Sequence, residues 1–352
     1  MFGFVRMIKK TIDFFKKYGT WIILAVNICV LAVIIITDED FSKGFIALEK
    51  LSPFMMVMCF AVFALTFVFE GLQFYYITRM FGTKFPLGAS IHAIIVERYY
   101  SAITPTCIGG QPALMFYLMH RGVPGPEAAS AMSLRFILYQ FTLVAGLLAL
   151  FVLMPIIGIS INAVMMTALI VGTLVAAAVP LVILLFAIFP KISYKGIRLI
   201  SDLAYKLRIT KDADKLYDKV TDTVMMYSRS MKRLRFRYTV VVIFFAIAQF
   251  ATIMSMPYLA SYACSVEIPY IESFSYTLIL NTAVAYMPTP GASGAAEGAF
   301  FTLFKDMIPA ASIMIVMLLW RLASYYFVII SGMIESGIMA ISSAFKKHKK
   351  TA

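Results

Sequence analysis

The sequence is poor in charged residues, which make up only 14% of its 352 residues. Soluble domains usually contain about 45–50% apolar residues and about a quarter charged ones, whereas this chain is 61% hydrophobic. A single water-soluble core cannot hide so much apolar surface. The composition therefore excludes an ordinary soluble domain and predicts an all-α polytopic membrane protein.

Residues that bind metals or form disulfides are also few. The four cysteines (Cys29, Cys59, Cys107 and Cys264) lack the spacing of a zinc site or a disulfide framework, and three of them lie in apolar runs. The three histidines form no cluster with other ligands, and no nucleotide-binding glycine loop stands out. We therefore expect neither a metal site nor a cofactor.

One short motif suggests catalysis. The segment Gly291-Ala292-Ser293-Gly294 resembles the G-x-S-G motif of rhomboid intramembrane proteases. That chemistry needs a histidine on a downstream membrane helix to accept the serine proton. The only histidine after Ser293 is His348, in the basic tail, so we do not expect a protease.

The net charge of +13 could indicate nucleic-acid binding, but the positions of the charges argue against it. Of the 31 lysines and arginines, 25 lie in alternate connections between apolar runs, and three lie on the opposite side. Such an excess is the positive-inside pattern of membrane proteins. It predicts a multi-pass protein of the cell membrane with both termini in the cytoplasm.

The apolar runs predict six membrane-spanning helices, each near the 20 residues that a bilayer requires. The predicted spans are 21–37, 54–77, 128–153, 161–189, 238–260 and 310–341. They fall into two membrane halves, 21–189 and 238–345. Outside these halves we expect an amphipathic cytoplasmic helix over 1–20, a basic linker over 190–237 and a basic tail over 346–352.

Two further apolar regions are interrupted by proline and glycine. Region 87–120 contains Thr104-Pro105 and Gly109-Gly110-Gln111-Pro112, and region 271–304 contains Pro288-Thr289-Pro290-Gly291 and Gly294. Helices tend to stop at such residues. Each region therefore predicts a re-entrant hairpin of two half-helices, which is tolerated at membrane depth where it is buried or lines a wet cavity.

The two regions indicate an internal repeat. Thr104-Pro105 and Gly109 match Thr289-Pro290 and Gly294 at an offset of 185 residues, and Arg135, Tyr139 and Gly146 match Arg321, Tyr325 and Gly332 at 186. In the predicted topology the two copies run in opposite directions. Inverted repeats with broken helices are typical of secondary transporters, whose binding site lies where the breaks meet.

Six charged residues lie inside or beside the apolar runs, where each costs about 2.5–3.5 kcal/mol on insertion scales. They are Glu70, Glu97, Arg98, Arg135, Glu297 and Arg321. Two interpretations remain open. The charges could form ion pairs that hold the helices together, or they could line a path for a charged headgroup, with Glu70, Glu97 and Glu297 as proton-coupling groups.

The second interpretation predicts an anion site, because arginine forks and the free N–H groups of helix starts both bind phosphate. The predicted substrate-binding residues are Arg98, Gly109, Gly110, Gln111, Arg135, Tyr139, Gly291, Ser293, Gly294, Arg321 and Tyr325.

These same motifs resemble a known family. The run from Thr104-Pro105 to Pro112, the turn His120-Arg121-Gly122-Val123, the run from Pro290 to Glu297 and the segment Leu319-Trp320-Arg321-Leu322 are similar to the transmembrane region named for lysylphosphatidylglycerol synthase. This region is the flippase half of the multiple peptide resistance factor, and it also has stand-alone relatives. The resemblance covers roughly residues 15 to 345 and implies lipid transport linked to antimicrobial-peptide resistance.

Full-length members of that family also carry a soluble domain that transfers lysine from tRNA to phosphatidylglycerol. The chain ends shortly after the last predicted span, so we expect no such domain and no enzyme activity. The expected function is translocation of an anionic, aminoacylated or polyprenyl-phosphate lipid. The alternatives are a proton-coupled transporter of a small anion and a membrane partner of a separate lipid synthase. The sequence leaves the oligomeric state open.

Overall fold

The computed structural model describes residues 52–159, 161–206, 212–232, 235–285 and 287–336. These residues form twelve α-helices and contain no β-strand. The predicted span 21–37, the surface helix over 1–20 and the tail over 346–352 lie outside the described residues. The helices are α1 (Pro53–Met80), α2 (Leu87–Ala102), α3 (Gly110–His120), α4 (Gly125–Leu153), α5 (Ala163–Ile188), α6 (Pro190–Lys206), α7 (Ala213–Met231), α8 (Phe236–Met254), α9 (Met256–Ala263), α10 (Tyr270–Val284), α11 (Ala295–Phe304) and α12 (Ala310–Arg321).

Five of these helices are long and apolar enough to cross a membrane: α1, α4, α5, α8 and α12, the last extended to Ser336. Each coincides with a predicted span. Large apolar side chains on them, such as Phe54, Val164 and Leu174, are exposed. Exposed apolar side chains on a helix of this length are expected where lipid replaces water.

The predicted span 238–260 ends earlier than the sequence suggests. Helix α8 stops at Met254, and the short helix α9 starts at Met256 with Pro257 in its first turn. Proline has no backbone N–H, and its ring clashes with the carbonyl four residues earlier, so a continuous helix cannot pass through this position undisturbed.

Both interrupted regions are broken helices, as the sequence predicts. In each, a three-residue 3₁₀ turn separates two helices: Pro105–Cys107 lies between α2 and α3, and Pro290–Ala292 lies between α10 and α11. We call these segments turn one and turn two. Helix α12 also changes form, because residues Leu322–Tyr326 make a π turn in which the Phe327 N–H donates to the Leu322 carbonyl.

The basic segment 190–237, for which the sequence predicts a linker, contains helices α6 and α7. The Asp212 carboxylate accepts a hydrogen bond from the Lys215 N–H and so caps the start of α7. Arg198 of α6 forms ion pairs with Asp202, 3.4 Å away, and with Asp214 of α7, 2.5 Å away. The two helices pack against each other, and α7 also packs against α4 and α5.

The chain divides into two compact units whose segments alternate along the sequence. Of the described residues, the first unit contains α1 up to Phe63, Ile95–Pro112 and the chain from Met254 to Ser336. In it α9 packs against α10 and α12, and α11 packs against α10 and α12. The Phe300 ring stacks at centroid distances of 4.5 Å on Phe304 and 5.1 Å on Trp320.

The second unit contains Ala64–Ile94 and Ala113–Ile253. Its core includes the packing of α4 against α5 and of both against α7. Aromatic rings join α1 to α8, since Phe245 stacks on Phe69 and on Tyr76 at centroid distances of 6.1 Å.

Candidate functional site

The two turns have the same backbone conformation over four successive residues. Thr104 and Thr289 are extended, with φ of −118° and −98°, and each precedes a proline. Thr106 and Gly291 then share a left-handed conformation, with φ of 52° and 59° and ψ of 20° in both. The matched positions are 185 residues apart, so the structure reproduces at backbone level the repeat that the sequence shows.

The next residue of each turn is left-handed as well, with φ of 58° at Cys107 and 53° at Ala292. A residue with a Cβ atom pays about 1–2 kcal/mol to adopt this conformation. Three strained non-glycine residues therefore lie in the two turns. Strain of this kind persists only where surrounding contacts impose it, and it clusters at functional sites.

Turn one is held by the side chain of its leading threonine. The Thr104 hydroxyl donates to the Tyr100 carbonyl at 2.7 Å and accepts from the Gly109 N–H at 2.9 Å. Beyond the turn, the Gln111 amide donates to the buried Glu97 carboxylate at 2.8 Å. This contact joins the start of α3 to α2.

Turn two is held by hydroxyls and by the first turn of α11. The Thr289 hydroxyl donates to the Ser293 carbonyl at 3.0 Å, and the Ser293 hydroxyl donates to the Pro290 carbonyl at 2.9 Å. Glu297 reaches back to accept from the Gly294 N–H at 2.6 Å. A carboxylate at this place satisfies a free N–H of the helix start and interacts favourably with the helix dipole.

Arg321 connects α12 to turn two. Its Nε donates to Glu297 Oε1 at 2.6 Å, and its Nη2 lies 3.1 Å from the Gly291 carbonyl oxygen and 3.4 Å from Ser293 Oγ. Arg321 is 5% exposed and Glu297 2%, so the charges of this pair are compensated by each other rather than by water. The guanidinium also lies 4.9 Å from the centre of the Tyr325 ring.

Tyr325 joins the two turns. Its hydroxyl donates to the carbonyl of Ala102, the last residue of α2 before turn one, at 3.2 Å. Its ring lies directly against Gly291, where a Cβ atom would overlap the ring. Turns one and two lie in contact with each other within the first unit. The two breaks thus meet, as the repeat predicts.

The second unit contains another buried polar group. Arg135 Nη1 lies 3.1 Å from Glu70 Oε2, and Gln249 donates to the other oxygen of Glu70 at 2.7 Å. Gln73 in turn donates to the Gln249 carbonyl oxygen at 2.7 Å. Glu70 and Gln73 have no exposed surface, so this chain of side chains is enclosed between α1, α4 and α8.

The predicted site residues therefore divide between the two units. Glu97, Arg98 and the residues of both turns, with Arg321 and Tyr325, belong to the first, whereas Glu70, Arg135 and Tyr139 belong to the second. Arg98 and Tyr139 are half-buried. The sequence interpretation missed Gln73 and Gln249. Two amides inside apolar spans are the signal that could have found them, because a buried amide needs a partner as a buried charge does.

The family described as "Lysylphosphatidylglycerol synthase TM region" matches residues 21–332. The chain belongs to this family. A "UPF0104 membrane protein" from Archaeoglobus fulgidus is similar to it, with 23% identity over 339 residues that cover 93% of this chain and 99% of the relative. The match identifies a multi-pass membrane protein of the lysylphosphatidylglycerol synthase transmembrane family, and the matching region is the membrane region of that family.

Proposed function

We propose that this member of the family translocates a lipid with an anionic headgroup between the two leaflets of the membrane. The headgroup would pass along the two turns, while the acyl chains stay in the bilayer. The observation that carries the proposal is the contact between the turns, with Arg321 fastened to turn two.

Arg321 has the chemistry to bind a phosphate, since its planar fork matches two phosphate oxygens. Its present partners are the Glu297 carboxylate and the Gly291 carbonyl. A phosphate would therefore compete with Glu297 for the guanidinium, and its departure would restore the ion pair. Such an exchange keeps the buried arginine compensated at each stage, which limits the cost of moving an anion past it.

We further propose that the protein is an inverted repeat with both termini in the cytoplasm and that the two broken helices are re-entrant hairpins. Five spans are described, and the predicted span 21–37 would make six, an even number that leaves both ends on one side. The matched conformations of the two turns support the repeat.

The direct test is lipid translocation in proteoliposomes. Fluorescent phosphatidylglycerol and phosphatidylcholine would be followed with an impermeant quencher, and the wild-type protein is expected to translocate the anionic lipid. Arg321→Gln and the double variant Arg135→Gln/Arg321→Gln should abolish this activity. Lys195→Gln/Lys206→Gln, which removes two exposed positive charges from α6, serves as the control.

Unchanged translocation in a folded double variant would refute the proposed path. If the wild-type protein moved no lipid but took up a soluble anion under a pH gradient, the protein would be a small-anion transporter. Activity only after addition of a co-purifying synthase would indicate a partner subunit.

The exposed Cys107 offers a second test of the path. Its thiol lies in turn one, and the other described cysteines, Cys59 and Cys264, are buried. In a Cys29→Ser background, an impermeant thiol reagent should label Cys107 if the turn lines a water-filled cavity. If added anionic lipid protected Cys107 from the reagent, the lipid would bind in this cavity. Labelling of Cys107 only after denaturation would contradict a water-filled path.

A further inference from the structure

A basic cavity lies in the second unit, and none of its residues belongs to the turns. It is a largely open cavity of about 470 Å³, within the range of about 300–1,000 Å³ that is usual for ligand pockets. It is formed by the end of α1, the loop that follows and the start of α8. Its lining residues are Arg79, Gly82, Thr83, Lys84, Phe85, Pro86 and Tyr238.

Two cations face this cavity. The Arg79 guanidinium lies 4.2 Å from the centre of the Tyr75 ring, and this stacking holds the fork at the end of α1. Lys84 is exposed in the loop. Each arginine or lysine near the membrane surface contributes about 1 kcal/mol of attraction to anionic headgroups.

The nearby acid does not cancel these charges by pairing with them. The Glu127 carboxylate accepts a hydrogen bond from the Thr83 hydroxyl at 2.5 Å, which fixes the loop to the start of α4. The Thr83 hydroxyl proton is therefore already used. The groups in the cavity wall that can donate to an anion are the Arg79 guanidinium, the Lys84 ammonium and the Tyr238 hydroxyl.

The apolar surroundings continue from the cavity along α8. The Tyr238 ring packs at 6.2 Å from Tyr76, and Phe245, two turns further along α8, stacks on Tyr76. On the outer face of α8, Val240, Phe244 and Ile247 are exposed at helical spacing. That face lies on the opposite side of α8 from Tyr238. The cavity itself lies at the ends of two spanning helices, α1 and α8, where the headgroups of a bilayer lie.

We infer that this cavity binds the phosphate of an anionic phospholipid, with Arg79, Lys84 and Tyr238 at the headgroup. The positive-inside bias places this end of α1 on the cytoplasmic side, so the lipid would come from the cytoplasmic leaflet. The site goes beyond the proposed translocation path, and its occupancy is measured by binding rather than transport.

The test is lipid binding to the purified full chain. Delipidated protein would be titrated with dioleoyl-phosphatidylglycerol or dioleoyl-phosphatidylcholine, and bound lipid would be counted by mass spectrometry. Arg79→Gln/Lys84→Gln should weaken phosphatidylglycerol binding by on the order of tenfold, because each basic residue near the membrane surface contributes about 1 kcal/mol. Phosphatidylcholine binding should not change.

The control is again Lys195→Gln/Lys206→Gln, which removes the same charge from exposed positions outside the cavity. The single variant Lys84→Gln alters only an exposed loop side chain and should fold, so it keeps the test decisive if the double variant is unstable. Equal loss in the control, or unchanged binding in both cavity variants, would overturn the inference. Displacement of the lipid by millimolar glycerol phosphate alone would show a site for soluble phosphates instead.

Discussion

Turns one and two have the same backbone but are stabilised by different contacts. Both follow a Thr-Pro pair and pass through two left-handed residues. Turn one is closed by a threonine hydroxyl on the Gly109 N–H, whereas turn two is closed by Glu297 on the Gly294 N–H, with Arg321 fastened to the Gly291 carbonyl. The conformation is therefore repeated, while the groups that close the two turns differ.

The turns diverge at two successive positions, Ile108/Ser293 and Gly109/Gly294. After the left-handed pair, Ile108 is helical, with ψ of −30°, whereas Ser293 is extended, with ψ of 141°. The extended Ser293 leads into Gly294 at φ of 85°, a left-handed value that a residue with a Cβ rarely adopts. The second helix of the repeat thus starts with a glycine whose N–H is available to Glu297.

The arginine helices differ in a related way. The repeat offset is 185 at the prolines that start α4 and α12, Pro124 and Pro309, but 186 at Gly146 and Gly332. The second copy therefore has one additional residue in between. The π turn Leu322–Tyr326 lies in this interval, and a π turn holds more residues than an α turn. Because Arg135 and Arg321 already match at an offset of 186, the additional residue lies before Arg321, and the π turn follows it.

The largest expected effect is the loss of one partner from either buried ion pair, Glu297–Arg321 or Glu70–Arg135. Arg321→Met leaves Glu297 buried without its cation, and loss of one partner of a buried pair costs about 3–5 kcal/mol. Arg135→Met leaves the buried Glu70 carboxylate without its cation and should destabilise by a similar amount. Thermal unfolding of both variants in detergent measures the two losses.

The double variant Glu297→Met/Arg321→Met is the control for this pair. Removing both charges should recover much of the loss, since an apolar pair of similar volume is often neutral. A double variant no more stable than Arg321→Met would show that the two charges do not compensate each other.

A smaller effect on stability is expected from substitutions at the two matched left-handed positions, Gly291 and Thr106. Gly291→Ala places a Cβ against the Tyr325 ring and should cost about 2–3 kcal/mol, from overpacking and from the left-handed backbone. Thr106→Gly at the matching position relieves backbone strain in the folded protein but increases the conformational entropy of the unfolded chain. These effects nearly cancel, so it should change stability by less than about 1 kcal/mol.

Unfolding midpoints of the two variants test whether the turns are equivalent. Combining Gly291→Ala with Tyr325→Ala should remove the overlap between the added Cβ and the ring. It should leave only the cost of the left-handed backbone at residue 291. A Gly291→Ala protein as stable as the wild type would mean that the ring of Tyr325 moves aside at little cost.

Removal of the amide beside turn one should have a smaller effect than the loss of an ion pair or the Gly291→Ala substitution. Gln111→Ala removes a neutral donor from the Glu97 carboxylate and should destabilise by about 1–2 kcal/mol. Thr302→Ala on α11, whose hydroxyl bonds only within its own helix at Gly298, is the matched control and should have little effect. If Gln111→Ala lowered the stability as much as Arg321→Met does, the Gln111–Glu97 hydrogen bond would contribute as much stability at turn one as the Glu297–Arg321 ion pair contributes at turn two.

Much of the architecture was predictable from local sequence. Apolar length predicted the five described spans, and Thr-Pro with glycine predicted both breaks, because proline and glycine act on the backbone where they stand. The end of α8 was misplaced, since Pro257 sits inside an apolar run whose composition hides it. Glu70, Arg135, Glu297 and Arg321 were recognisable as residues in need of partners, but their partners were not.

The sequence by itself determined that this chain is a membrane protein with two broken helices and a repeat, since composition and backbone chemistry are local properties. Only the tertiary structure decided which buried charges meet. Glu70 contacts Arg135 and Gln249, which are 65 and 179 residues away in the sequence. Arg321 contacts Glu297 and the Gly291 carbonyl. These contacts depend on which helix faces pack together, because a buried charge is compensated only by a group that packing brings within hydrogen-bond distance.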